Sequence, residues 1–144
     1  MIEIGQVLSL KIRFNNSGVV ANQAHPVLVV NVDKEKNILE IVHIDSITEE
    51  KKWKTLLKGN VTIKKDNPPE TVIDKDSFVQ IDNIIQLELF PELVRKRRQT
   101  EKLSEIKLKK VLDRYDNYKK NEWIDDDKKV FMTKEEIILL NSDI

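Results

Sequence analysis

The chain contains no cysteine in its 144 residues. That excludes disulfide scaffolds, thiolate catalysis and zinc-ribbon sites, and it fits a reducing compartment. Glycine is scarce: three residues, widely scattered, too few for a loop that cradles phosphate. Net charge is also lacking, with 25 basic residues balancing 25 acidic ones, so the protein as a whole has no attraction for a polyanion. No apolar run approaches the roughly 18–20 residues of a membrane span. Met1-Ile2-Glu3-Ile4 lacks the basic and apolar regions of a secretory signal. These absences point to a cytoplasmic protein with no membrane association. The length fits one domain, large enough to bury about two-thirds of its unfolded surface without covalent staples.

What is present begins with strands. Leu8, Leu10, Ile12 and Phe14 alternate with polar neighbours and share one strand face. A polar loop over residues 15–24 leads to His25-Pro26, and residues 27–32 are apolar on both faces, as in a central strand. The proline restrains its own φ and biases His25 toward an extended conformation. A titratable side chain is thereby held at a loop-to-strand junction, where binding and catalysis are often built. Lys34-Glu35-Lys36-Asn37 then connects to residues 38–44, predicting a hairpin. Residues 49–58 read as a short helical turn that carries Trp53, Leu56 and Leu57 inward and ends at Gly59. Further short strands are expected at 61–63, 71–73 and 77–81, with 83–90 continuing the sheet.

The period changes after Thr100. Leu108, Val111, Leu112 and Tyr115 follow helical spacing, with Lys and Glu on the other face. Thr133-Lys134-Glu135-Glu136 is a capping-box pattern that opens a short final helix. The fold class is therefore mainly β with some α: a small β-barrel followed by a C-terminal helix and a short helical tail.

Several strings in order resemble the MazF/PemK/Kid family of toxin ribonucleases over about residues 4–120. Ile4-Gly5-Gln6-Val7 is similar to that family's opening Arg-Gly-Asp-Val/Ile. His25-Pro26-Val27-Leu28-Val29-Val30 is similar to its Arg-Pro-Val-Leu-Val-Ile. Residues 41–46 stand where the family has an apolar strand ending in a catalytic Thr or Ser, and residues 76–83 resemble its Asp-Ser-x-x-x-x-Asp/Glu-Gln. The resemblance implies an SH3-like barrel over residues 1–120, with residues 121–144 as an acidic and apolar extension. It also implies a homodimer that cleaves single-stranded RNA without metal or other cofactor, and an antitoxin protein as partner. By position, the family's catalytic hydroxyl falls on Ser46. Its arginine falls on His25, where this chain departs from the family.

RNA transesterification needs a base for the 2′-hydroxyl, an acid for the leaving 5′-oxygen and positive charge near the phosphorane. His25 can serve as base or acid, and Arg13 or Lys11 can supply charge from the end of the first strand. A surface histidine before a proline and a turn serine are the plainer readings of His25 and Ser46. His43 alternates with Val42 and Ile44, and is read as a partly buried structural histidine that could pair with His25. The run Arg95-Lys96-Arg97-Arg98 offers phosphate contacts through Arg95, Arg97 and Arg98, against the plainer reading of a solvated turn. Asn16, Asn22 and Gln23 offer hydrogen bonds to unpaired bases. Trp53 is either packed or a stacking platform. The extension carries Asp125, Asp126 and Asp127 beside Trp123 and Phe131. It reads as an internal blocker of the site or as a hook over the barrel. The alternative to the enzyme is a non-catalytic RNA- or protein-binding module on the same barrel, and a third reading is a structural interaction protein with the extension as its docking surface.

Overall fold

A computed structural model describes residues 1–14, 20–56, 60–121 and 130–144. The expectations resting on Asn16, the Leu56 side chain, Leu57, Gly59, Trp123, Asp125, Asp126 and Asp127 lie outside what is described. Among the described residues, six strands form one sheet: β1 (Val7–Leu10), β2 (His25–Asp33), β3 (Ile38–Ser46), β4 (Asn60–Ile63), β5 (Ser77–Glu88) and β6 (Val130–Met132). The antiparallel order is β1-β2-β3-β5-β4, and β6 joins β5 in parallel. Helices α1 (Glu105–Asn121) and α2 (Lys134–Leu140) follow the barrel strands. The mainly β class with C-terminal helices is thus the architecture of the molecule.

Strand alternation fills two cores. Leu8, Leu10, Val27, Val29, Leu39, Ile41, Ile85 and Leu87 pack on one face. Val7, Leu28, Val30, Val42, Ile44, Val79 and Ile81 pack on the other, under Val111 and Tyr115 of α1. This is why residues 27–30 are apolar without interruption. The β2–β3 hairpin closes through Asn37 at φ 61, a left-handed position that asparagine tolerates. Residues 71–73 do not form a strand: they follow the turn that contains Pro68 and Pro69, and Val72 and Ile73 plug the second core without ladder bonds.

Two irregularities shape the sheet. In β2 the register shifts between Val29 and Asn31, so Val30 is an extra residue opposite β3. In β5 the pairing jumps from Val42↔Ile84 to His43↔Gln80. That break lets the first part of β5 pair β4 and the last part pair β6. Bulges bend strands and re-aim side chains, and they are frequent beside functional sites.

The string at residues 4–7 holds the barrel together. Gly5 takes φ 96, and a Cβ there would meet Leu108 Cδ2 of α1 at 2.8 Å. The Gly5 N–H donates to the Val29 carbonyl, and the Gly5 carbonyl accepts from Leu103 N–H. Buried Gln6 donates to the Thr100 carbonyl at 2.9 Å and accepts from Glu3 N–H.

Helix α1 is pinned by a buried carboxylate. Glu40 of β3 accepts from Tyr115 Oη, from Lys119 Nζ at 2.9 and 3.2 Å, and from Asn31 and Gln86. Burial alone pushes this carboxyl up; the hydrogen bonds from Tyr115 and Lys119, the Lys119 charge and Asn31 outweigh it and hold it below the usual range. The Tyr115 hydroxyl is pushed up by its own burial and by Glu40. Tyr115→Phe removes one charge-assisted bond and should lower stability by about 2 kcal/mol. The denaturant midpoint should fall with an unchanged slope; an unchanged midpoint would show that the other donors fully replace the hydroxyl.

Residues 130–144 are built into the same sheet. Val130, Met132 and Ile137 are buried in the first core. Thr133 Oγ1 accepts from Glu136 N–H and starts α2 as the capping pattern predicts. Asn141, 4% exposed, accepts from Lys11 N–H at 2.8 Å and donates to the Lys11 carbonyl at 3.1 Å. One side-chain amide thus continues the hydrogen bonding of β1 beyond its last residue.

Candidate active site at the mouth of the second and third strands

His25 opens β2, and Val27 lies opposite His43 on β3. Residues two apart on a strand share a face, and so do opposed residues. His25, Val27 and His43 therefore lie on one face, with Asp45 next along it. The extra residue Val30 is what makes this so: in the register set at the hairpin end, Ile44 would stand opposite Val27. The two imidazole centroids are 5.2 Å apart, edge to face. Phe14 completes the group at 5.8 Å from each ring.

The two imidazoles occupy different environments. His25 is half-buried. His43 is 7% exposed, and its Nε2 is buried with no hydrogen-bond partner among the described residues. Burial, then the neighbouring His25, with smaller contributions from Lys51 and Lys54, hold His43 down to about 4; Asp45 opposes them. At neutral pH His43 is an uncharged imidazole. It is the partly buried histidine the alternation predicts, and it also stands against His25, a pairing that sequence spacing could not test.

The other expected residues fall into distinct places. Ser46 ends β3 opposite Ser77, and alternation sets it with Val42 and Ile44 rather than with the imidazoles. Asp45 accepts from Lys51 Nζ at 3.0 Å on both oxygens. Arg13 Nε donates to Glu136 Oε2 at 2.7 Å, and its Nη2 donates to the Phe131 carbonyl, so its charge is shared with the C-terminal segment. The Glu136 hydrogen bond raises the Arg13 guanidinium's pKa further. The Lys11 backbone is held by Asn141. Asn22 and Gln23 are exposed before β2.

The basic run is largely stitched into the fold. Arg97 bridges Leu8 on the open edge of β1, and Arg98 N–H donates to the Val7 carbonyl. Arg97 Nη1 reaches the Met1 carbonyl, Arg98 pairs with Asp74, and Lys96 with Asp143. Arg95 is exposed. Trp53 corrects an expectation: it points outward, 58% exposed, on a 3₁₀ turn at Lys52–Leu56. A single 3₁₀ turn has too few residues to show an apolar stripe, so spacing could not reveal its outer face.

Among the described residues no three His, Asp or Glu side chains gather as a metal site, and no helix is long and apolar enough to cross a membrane. No family model and no curated protein matches the chain. Among solved structures, the chain is similar to the Mycobacterium tuberculosis toxin MazF-mt6, at 14% identity and a TM-score of 0.47, over 82% of this chain and 99% of that one.

Proposed function

We propose that the protein is an endoribonuclease that cleaves single-stranded RNA by proton transfer, with attack of the 2′-hydroxyl and a cyclic phosphate product. The observation that carries this reading is the His25–His43 pair, with centroids 5.2 Å apart. One member is at the surface beside a polar loop, and the other is buried and uncharged behind it. His25 exchanges the proton with the 2′-hydroxyl or the 5′-oxygen. His43 holds the His25 ring in place and, being neutral, adds no competing charge. The resemblance to the toxin ribonucleases adds Ser46 as a hydroxyl at the phosphate, and Arg13, from its place past the end of the first strand, is the assisting cation. The resemblance also brings a cytoplasmic homodimer and an antitoxin partner.

The test is incubation of the purified protein with mixed-sequence RNA in EDTA. Cyclic-phosphate ends should appear, and His25→Ala should slow their formation by about 100-fold or more. Ser46→Ala in the same assay decides the role of the hydroxyl. Cleavage unchanged in both variants, or no cleavage at any protein concentration, overturns the enzyme. The Arg13–Glu136 ion pair favours a second reading, a non-catalytic RNA-binding module, because it engages the one strand-end guanidinium expected at the phosphate. A gel shift without cleavage would establish that module.

A further inference from the structure

Trp53 exposes a large apolar ring on a backbone that has little freedom to move it. Lys51 N–H donates to the Thr48 carbonyl and lies 3.2 Å from Thr48 Oγ1, and Lys54 N–H donates to the Lys51 carbonyl. Thr55 Oγ1 donates to the Lys52 carbonyl. Buried Asn60, at the start of β4, donates from Nδ2 to the Lys54 carbonyl at 2.9 Å. The turn is thus clamped at both ends, and the indole is presented in a fixed place rather than on a loose loop.

The surroundings of that ring are cationic on the side of the imidazole pair. Lys54 Nζ lies 5.8 Å from the Trp53 ring centroid. Lys51 is tethered to Asp45, which shares the face of His43, and the charges of Lys51 and Lys54 both reach His43. Glu49 and Glu50 precede the turn and offset two of its three lysines, Lys51, Lys52 and Lys54, so any attraction for phosphate is local. A cation over one face of the indole leaves the other face for a flat ligand. Base–aromatic stacking is tolerant of sequence and needs an unpaired base. Inside a duplex both faces of every base are already stacked, leaving only the two terminal pairs with an open face.

We infer that Trp53 is a base-stacking platform for single-stranded RNA, seating an unpaired base while Lys51 and Lys54 face the adjoining phosphates and the strand runs on to His25. This deepens the endoribonuclease reading and rests on it for the identity of the ligand, but it makes a binding claim that is measured separately.

The experiment uses the full chain carrying His25→Ala, so that the probe is not consumed. A fluorescent mixed-sequence single-stranded RNA of about ten nucleotides is titrated, followed by its blunt duplex. Trp53→Ala in this background should weaken single-strand binding about tenfold or more, while Trp53→Phe retains most of it and the duplex binds more weakly than the single strand. If RNA binds and Trp53→Ala leaves the affinity unchanged, the platform is overturned and the cleavage reading is untouched. If binding depends on Trp53 but the wild-type protein does not cleave, the platform stands and the cleavage reading fails. No binding of single-stranded RNA overturns the platform.

Discussion

Removal of residues 130–144 is expected to unfold the protein rather than to release an activity. Their composition admits a detachable blocker, but their packing does not behave as one. Val130, Met132 and Ile137 are buried with Leu8, Leu10, Ile85 and Leu87 in one core. Burying such side chains contributes roughly 1.5–3 kcal/mol each, so losing all of them approaches the whole stability of an ordinary domain, about 5–15 kcal/mol. The edge of β5 at 85–87 would also lose its parallel partner. Lys11 would lose both bonds to Asn141, and Arg13 its carboxylate. Circular dichroism and thermal melting of the truncated chain test this directly. A cooperative melt near that of the full chain, with RNA cleavage increased, would instead make the segment a removable inhibitor.

Stability should also fall steeply in mild acid because of His43. The group's folded value is about 4, against 6.5 for an ordinary histidine. Between these values the unfolded chain binds a proton that the folded chain refuses, so stability rises with pH through this window. It is complete above pH 6.5 and is reduced by about 3 kcal/mol when the pH reaches 4. Glu40 acts in the same direction but in a lower window. Its carboxyl is held below 4.5 when folded, so its contribution is intact above that value and declines only as pH falls below it. Denaturant unfolding between pH 7 and 4.5 therefore isolates the histidine. His43→Leu should remove most of the dependence across that range. Parallel curves for the variant and the wild type would show that His43 takes up its proton as readily folded as unfolded.

Much of the barrel was legible because it is written in local periods. The alternation of residues 7–14 and 38–44, the helical spacing of Leu108, Val111, Leu112 and Tyr115, and the Thr133 cap each describe contacts a few residues apart. The parallel pairing of β6 with β5 was not legible. It joins residues far apart in the chain, and three residues of strand carry no period of their own. The basic run at Arg95–Arg98 reads as a charged surface, yet its backbone closes the edge of β1, a role to which side-chain type is indifferent. At the site, the positions of His25 at a strand mouth and of His43 on the face away from Val42 and Ile44 followed from sequence. Their meeting did not, because it depends on Val30 standing unpaired in the middle of an unbroken apolar run. Val30 packs in the second core as Leu28 does and leaves no trace in composition or periodicity.

That extra residue gives the site an unusual vulnerability. Its integrity is a matter of counting as well as of chemistry. Exchange of either imidazole for another side chain changes one participant and leaves the other where it was. If Val30 were instead drawn into the ladder, so that the hairpin-end register ran on without a break, Ile44 would stand opposite Val27 and the two imidazoles would turn to opposite sides of the sheet, with every residue of the site still present. Among descendants of this chain, the register between β2 and β3 is therefore as informative about retained function as the identity of His25 itself.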